Sequence, residues 1–330
     1  MITQRQAWVV PAVAIVAVEY AAAIAIGRAS GAHYSIPLAT YVLTALTIVA
    51  LSLLVVIGVR LARALRAGDQ PLPVERFGFF AMGVLLVGFQ IAVLNWLKVE
   101  MPLTVGFTAD AALARADALL FRTDPWRITH ALFGWATSFI DRAYVTWGAA
   151  KFATVFIVLA LPNSPLRSRC IVTYFLVAAG GSLGQYLAPS AGPVFYELLG
   201  LGDRFRELPV APWMDVTRSY LWADYLKSGG HVGSGISAFP SLHVAMAVWI
   251  ALVIRAYQPR FQAIGWAYFG MILLGSVHLG WHYALDGIAA VALAWFAWFA
   301  AKRITRRTAQ PVRHSGELAT TNTVMGGDAA

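Results

Sequence analysis

Long apolar runs separated by short polar connections dominate the chain, at 7–27, 36–59, 77–97, 143–161, 170–188, 238–256, 262–279 and 283–301. Each approaches the roughly 20 residues an α-helix needs to cross a bilayer. The pattern therefore predicts an all-α polytopic membrane bundle of about eight spans. The first run starts after Arg5 and continues past the length of a signal-peptide core without a cleavage-site pattern, which predicts a retained helix. Two long connections interrupt the rhythm, 98–142 and 189–237. The chain thus divides into N-terminal helices with the first long connection (1–142), a helical core (143–301) bearing a cap (189–237), and a tail (302–330). The tail 302–330, which from Thr308 to Ala330 includes "TTNTVMGGDAA" and has no apolar periodicity, is expected to be disordered. The cap is rich in aromatic and charged residues and is expected to fold against the membrane surface, with Trp213, Trp222 and Tyr225 at headgroup level.

Basic residues cluster in alternate connections: Arg60, Arg63, Arg66 and Arg76; Arg167 and Arg169; Arg255 and Arg260; Lys302, Arg303, Arg306 and Arg307. The positive-inside rule predicts that these connections and both termini are cytoplasmic in a cell-membrane protein. The long connections, and the starts of the sixth and eighth helices, then face outward. Composition agrees with a membrane protein, at 59% hydrophobic and 12% charged residues with a mean hydropathy of +0.66, more apolar surface than one soluble core buries. The net charge of +9 sits between apolar runs instead of forming a patch interleaved with aromatics, which argues against a nucleic-acid partner. A single cysteine, Cys170, excludes an internal disulfide. Nothing in the sequence sets an oligomeric state.

Candidate chemistry sits in two stretches on the predicted outer face, "GISAFPSLHVAMAVW" (235–249) and "GSVHLGWHYALDGIAA" (275–290). Pro240 suits a first helical turn, and Ser241 and His243 follow where free backbone N–H groups favour an anion. Gly280 breaks the later apolar run, so a helix is expected to begin near Trp281 with His282 and Asp286 at i and i+4 on one face. A carboxylate there holds one imidazole nitrogen and leaves the other free as base or nucleophile. His243 supplies a second imidazole, and such a pair can attack phosphorus and protonate the leaving oxygen.

Pro-Ser-Leu-His followed by Gly-Trp-His-Tyr-Ala-Leu-Asp resembles the second and third signature motifs of the phosphatidic acid phosphatase type 2 superfamily. The Ala-Phe-Pro-Ser-Leu-His wording is similar to its inositol phosphorylceramide synthase branch. The resemblance is strong over roughly 235–290 and weak before about 185. It implies His282 as a nucleophile forming a phosphohistidine, Asp286 as its partner and His243 as general acid, with no metal or organic cofactor. It also implies membrane lipids as substrates and transfer of a phosphoryl or phospho-alcohol group. Departures are clear: Leu242 stands where a Gly is common, Gly275 and Ser276 stand where the third motif carries Ser-Arg, and the first motif has no clean match.

A phosphate site lacking that arginine still needs positive charge. Lys151, inside the fourth apolar run, is the first candidate because a lysine within a span faces a polar cavity; Lys98, Arg142 and His278 follow. Loop "APSAGPVF" can bring backbone close to the same phosphate. His33, His130, His231 and His314 are expected to be solvated, and Asp110, Asp117 and Asp124 to be helix caps and surface residues. Hydrolysis of a lipid phosphate or polyprenyl diphosphate is the alternative reaction. A zinc hydrolase lacks His-Glu-x-x-His, an intramembrane serine protease has Val232 where a Gly is expected, and a proton-coupled transporter would carry inverted repeats, which the sequence does not display.

Overall fold

A computed structural model describes residues 6–31, 35–67, 74–227, 229–231 and 233–308. Among them the chain is helical without a strand, as the apolar pattern predicts. In order the helices are α1 (Val9–Ser30), α2 (Leu38–Ala67), α3 (Val74–Thr104), α4 (Asp110–Phe121), α5 (Pro125–Phe133), α6 (Thr137–Val145), α7 (Trp147–Ala160), α8 (Pro165–Gly184), α9 (Pro212–Leu226), α10 (Leu242–Tyr257), α11 (Gln262–His278) and α12 (Ala284–Thr308).

Among the described residues five stretches are long and apolar enough to cross a bilayer: Val9–Ser30, Leu38–Arg60, Val74–Thr104, Pro125–Ala160 and Ala284–Thr308. The expected eight is larger than this number. α10 and α11 have only 16 and 17 residues, about 24–26 Å against a hydrocarbon core of about 30 Å. α8 is buried almost all round and serves as the central post of the bundle. Along it Gly181 faces Leu242 so closely that no Cβ fits, which lets the start of α10 seat against the end of α8. Deeper in the core the Trp249 indole of α10 donates to the Cys170 carbonyl of α8 at 3.0 Å.

Buried polar groups lock helix to helix. Glu19 of α1 accepts from Gln90 of α3 at 2.7 Å and from Ser182 of α8 at 2.7 Å. Arg167, expected in a cytoplasmic connection, lies instead in the first turn of α8 and is buried. It donates to the carbonyls of Val158 and Leu159 and to Gln6, satisfying the free carbonyl end of α7.

Two further expectations are corrected. The connection 98–142 is not a loop: α3 runs on to Thr104, and α4, α5 and α6 fill the rest. The tail is helical as far as Thr308, because Lys302–Thr308 continue an uninterrupted helix with Arg306 and Arg307 favourably at its negative end; residues 309–330 lie outside the described residues, as do His33 and His314.

Candidate active site

The start of α10, the Trp281–His282 turn before α12, the later part of α3, the ends of α6 and α8, the start of α7 and helix α9 enclose a cavity of about 380 Å³ at one end of the bundle. His243 and His282 both line it. α10 begins two residues later than expected: Ser241 is the N-cap, its hydroxyl accepting from the Val244 N–H at 3.4 Å, and Pro240 precedes it. Ser241 is fully buried in that role and its backbone N–H donates to the Asp286 carbonyl at 3.2 Å, so the two sequence stretches are joined directly.

α11 ends at His278, and Gly280 turns the chain with a φ of 71° as the apolar break predicts. α12 then starts at Ala284 instead of near Trp281, so His282 sits in the turn two residues before the helix. Its Nδ1 lies 3.5 Å from Asp286 Oδ2, but the shorter partner is the Ala238 carbonyl at 2.9 Å. A carbonyl can only accept, so Nδ1 carries a proton, and the neutral tautomer compatible with this bond has its lone pair on Nε2. That Nε2 lies 3.3 Å from His243 Nδ1. Asp286 Oδ2 also accepts from the Tyr283 N–H at 2.9 Å, reaching back across the first turn as a capping carboxylate does. His243 is itself held between Tyr144, stacked at 5.1 Å, and Trp147, edge-on at 4.1 Å.

Carboxylates from α4 and α6 build the frame. Asp110 accepts from the consecutive N–H groups of Ala191 and Gly192 at 2.9 and 2.8 Å and from the Tyr283 hydroxyl at 2.9 Å. Asp117 accepts from Ala284 and Leu285 at 2.7 and 3.1 Å, capping α12 from outside. Asp141 does the same for α9 through Trp213 and Met214 at 2.9 and 3.1 Å. Asp110 and Asp117 are buried, contrary to their expected surface position. Burial pushes both carboxyls above their ordinary range, opposed by these N–H bonds, and burial next to Asp110 raises the Tyr283 phenol well above its own. Asp124 pairs with Arg204 at 2.6 Å.

Loop "APSAGPVF" reaches the site as expected, but as a support. Gly192, with φ at 100°, passes so close to the Trp281 carbonyl that a Cβ has no room. Val194 N–H donates to the Gly280 carbonyl at 2.8 Å, and the Ser190 carbonyl accepts from Ala238 at 2.8 Å. The loop thereby fixes both the His282 turn and the Ala238 carbonyl that orients His282. The cap expected at 189–237 is folded, with α9 roofing the cavity through Met214, Thr217 and Leu221. Of its aromatics Trp213 is exposed, whereas Trp222 packs on Phe195 and Tyr225 on Phe107.

The four candidate phosphate ligands separate. Lys98 lies inside α3, six residues before its end, and lines the cavity. Lys151 lies in the second turn of α7 with its ammonium over the Trp147 and Phe152 rings at 4.4 and 4.3 Å, outside the cavity lining. Arg142 points away and donates to the Ser138 carbonyl at 3.1 Å. His278 is buried against α5, its ring stacked on His130 at 3.7 Å and its nitrogens 2.9 and 3.2 Å from the Thr137 and Thr129 hydroxyls. His130, expected to be solvated, donates to the His278 carbonyl at 2.8 Å. Sequence reasoning missed Tyr144, Asp141 and the Ala238 carbonyl. The first two carried a weak signal, as polar atoms beside an apolar run; the carbonyl carried none.

The family model described as the PAP2 superfamily matches residues 111–300, which takes in α4 to α12 for most of their length and leaves α1 to α3 outside. No curated protein and no solved structure matches the chain.

Proposed function

Because the chain belongs to the PAP2 superfamily, which carries lipid phosphatase and phosphotransferase activity in general, we propose that it is a membrane lipid phosphotransferase working through a phosphohistidine on His282. The observation that carries this reading is the His282 ring itself: Nδ1–H is committed to the Ala238 carbonyl at 2.9 Å and Nε2 faces His243 at 3.3 Å in the cavity wall.

In the first half-reaction the His282 Nε2 lone pair forms a bond to phosphorus as the bond from phosphorus to the donor's alcohol oxygen breaks. Protonated His243 gives its proton to that leaving oxygen. In the second, His243 takes the proton from an acceptor hydroxyl while its oxygen attacks phosphorus, and the bond from phosphorus to Nε2 breaks, restoring His282. Asp286 Oδ2 and the Ala238 carbonyl steady the imidazolium that forms at Nδ1. Lys98 supplies positive charge for the phosphate, since it is the lysine that lines the cavity. A phosphoryl or phospho-alcohol group, phosphoinositol included, is moved from one lipid to another when a lipid alcohol is the acceptor. Water as acceptor gives hydrolysis of a lipid phosphate or polyprenyl diphosphate, the second reading. The membrane orientation that goes with this function puts the cavity outside and both termini in the cytoplasm, in keeping with the basic residues of 60–76 and 302–307.

Purified protein incubated with labelled phospholipids, with and without lipid alcohols, tests the reading. Acid-labile label on the wild-type chain and label transferred to the added alcohol are expected. Release of free phosphate alone would replace transfer by hydrolysis, and absence of any turnover or covalent label across the panel would defeat both.

A further inference from the structure

We propose that the hydroxyl of Tyr144 is a phosphate-binding donor of this site, an inference that rests on the function proposed above. Tyr144 stands in the last turn of α6, is 5% exposed, and lines the same cavity as Lys98 and the two histidines. Its Oη is buried and has no hydrogen-bond partner among the described residues. Two other phenols near this end of the bundle do: Tyr283 donates to Asp110 and Tyr186 to the Leu97 carbonyl. A buried hydroxyl without a partner is a costly arrangement that calls for an account. A phosphate held beside His243, on whose ring Tyr144 stacks at 5.1 Å, provides one.

The seat for this ring is made by the neighbouring helix. A Cβ on Gly275 would stand 2.8 Å from Tyr144 Cδ2, so the phenol reaches the dyad only because α11 has no side chain there. The next residue offers no donor in its place, since the Ser276 hydroxyl is spent on the Leu273 carbonyl at 2.8 Å. The site therefore presents a cation from α3 and a neutral donor from α6 in one cavity with the histidines, and the pair suits phosphate oxygens.

The experiment compares wild-type protein with Tyr144→Phe, the full chain purified in detergent, by titration calorimetry with inorganic phosphate and by thermal unfolding. Phenylalanine keeps the stack on His243 and the fit to Gly275. Loss of one hydrogen bond to a charged group is expected to weaken phosphate binding by about tenfold to a hundredfold. The unfolding midpoint should stay the same or rise, because an unpartnered polar atom has been removed. Unchanged phosphate affinity would overturn the proposal, as would a fall in affinity matched by a lower midpoint, which marks a structural role. Wild-type protein that neither binds phosphate nor turns over lipid would instead bring down the function itself, and this inference with it.

Discussion

Among the described residues two histidine pairs stand at the same end of the bundle, and they are built in opposite ways. His130 and His278 are stacked ring on ring at 3.7 Å, with the Thr129 and Thr137 hydroxyls and the His278 carbonyl around them. Every nitrogen of the His278 ring is occupied, and the pair staples the end of α11 to α5 and α6. His243 and His282 meet edge to face at 5.4 Å, and only His282 Nδ1 is bound to the protein backbone. Their remaining nitrogens face each other and the cavity. One pair spends its hydrogen-bonding capacity on the fold; the other keeps it for a ligand. The difference teaches that reactivity here is a matter of which nitrogens the fold leaves unspent.

The comparison makes graded predictions. The largest effect is expected at His282: His282→Ala should lower turnover by at least about 10⁴-fold and eliminate any covalent phosphoenzyme, with label retention after acid-free quenching as the check. His243→Ala should follow at about 10²–10⁴-fold for poor leaving groups and much less for an activated aryl phosphate, whose oxygen needs no proton. Equal losses for both substrates would remove His243 from the acid role.

Third come the lysines. Lys98→Met should raise the half-saturating substrate concentration about tenfold to a hundredfold, the worth of a charge-assisted hydrogen bond, with Lys98→Arg recovering part of it. Lys151→Met should change that concentration less than about threefold, since its ammonium is engaged with aromatic rings worth about 0.5–2 kcal/mol to stability. Comparable kinetic losses in both variants would mean that Lys151 also serves the phosphate. The smallest kinetic change belongs to the second histidine pair. His278→Ala should cost about 1–3 kcal/mol of stability through unsatisfied neighbours, read from the unfolding midpoint, while turnover per folded molecule changes by less than about threefold. A loss of turnover without a loss of stability would erase the distinction between the pairs.

Much of this was legible in the residues. The apolar runs marked the long helices because period and length alone identify them, and Pro240, Ser241, His243, His282 and Asp286 advertised a phosphate-handling site by type and order. What the pattern concealed lies in 98–142, where short amphipathic helices lack a span-length apolar run and read as a loop. Asp110 and Asp117 read as helix-cap and surface carboxylates, and Asp141 was missed, because their partners are backbone N–H groups of 191–192, 284–285 and 213–214, and a backbone N–H has no sequence signature. Arg142 was a candidate by its charge and His278 by standing four residues before His282, and neither lines the cavity. On a helix, one residue of offset turns a side chain by about 100°, and that rotation put Asp141 inward and Arg142 out.

By itself the sequence determined a helical membrane protein and the chemical identity of its two motif histidines, because hydropathy, helix period and motif spacing are local properties carried by the residues themselves. Only the tertiary structure decided that His282 takes its orientation from the Ala238 carbonyl as well as from Asp286, that Lys98 and Tyr144 border the cavity while Lys151 and His278 do not, and that three carboxylates from one connection frame the site. Those outcomes depend on which helix end meets which, and on where a missing Cβ at Gly181, Gly192 or Gly275 allows close approach. Such contacts are made between residues far apart along the chain, and each depends on the packing of all the others.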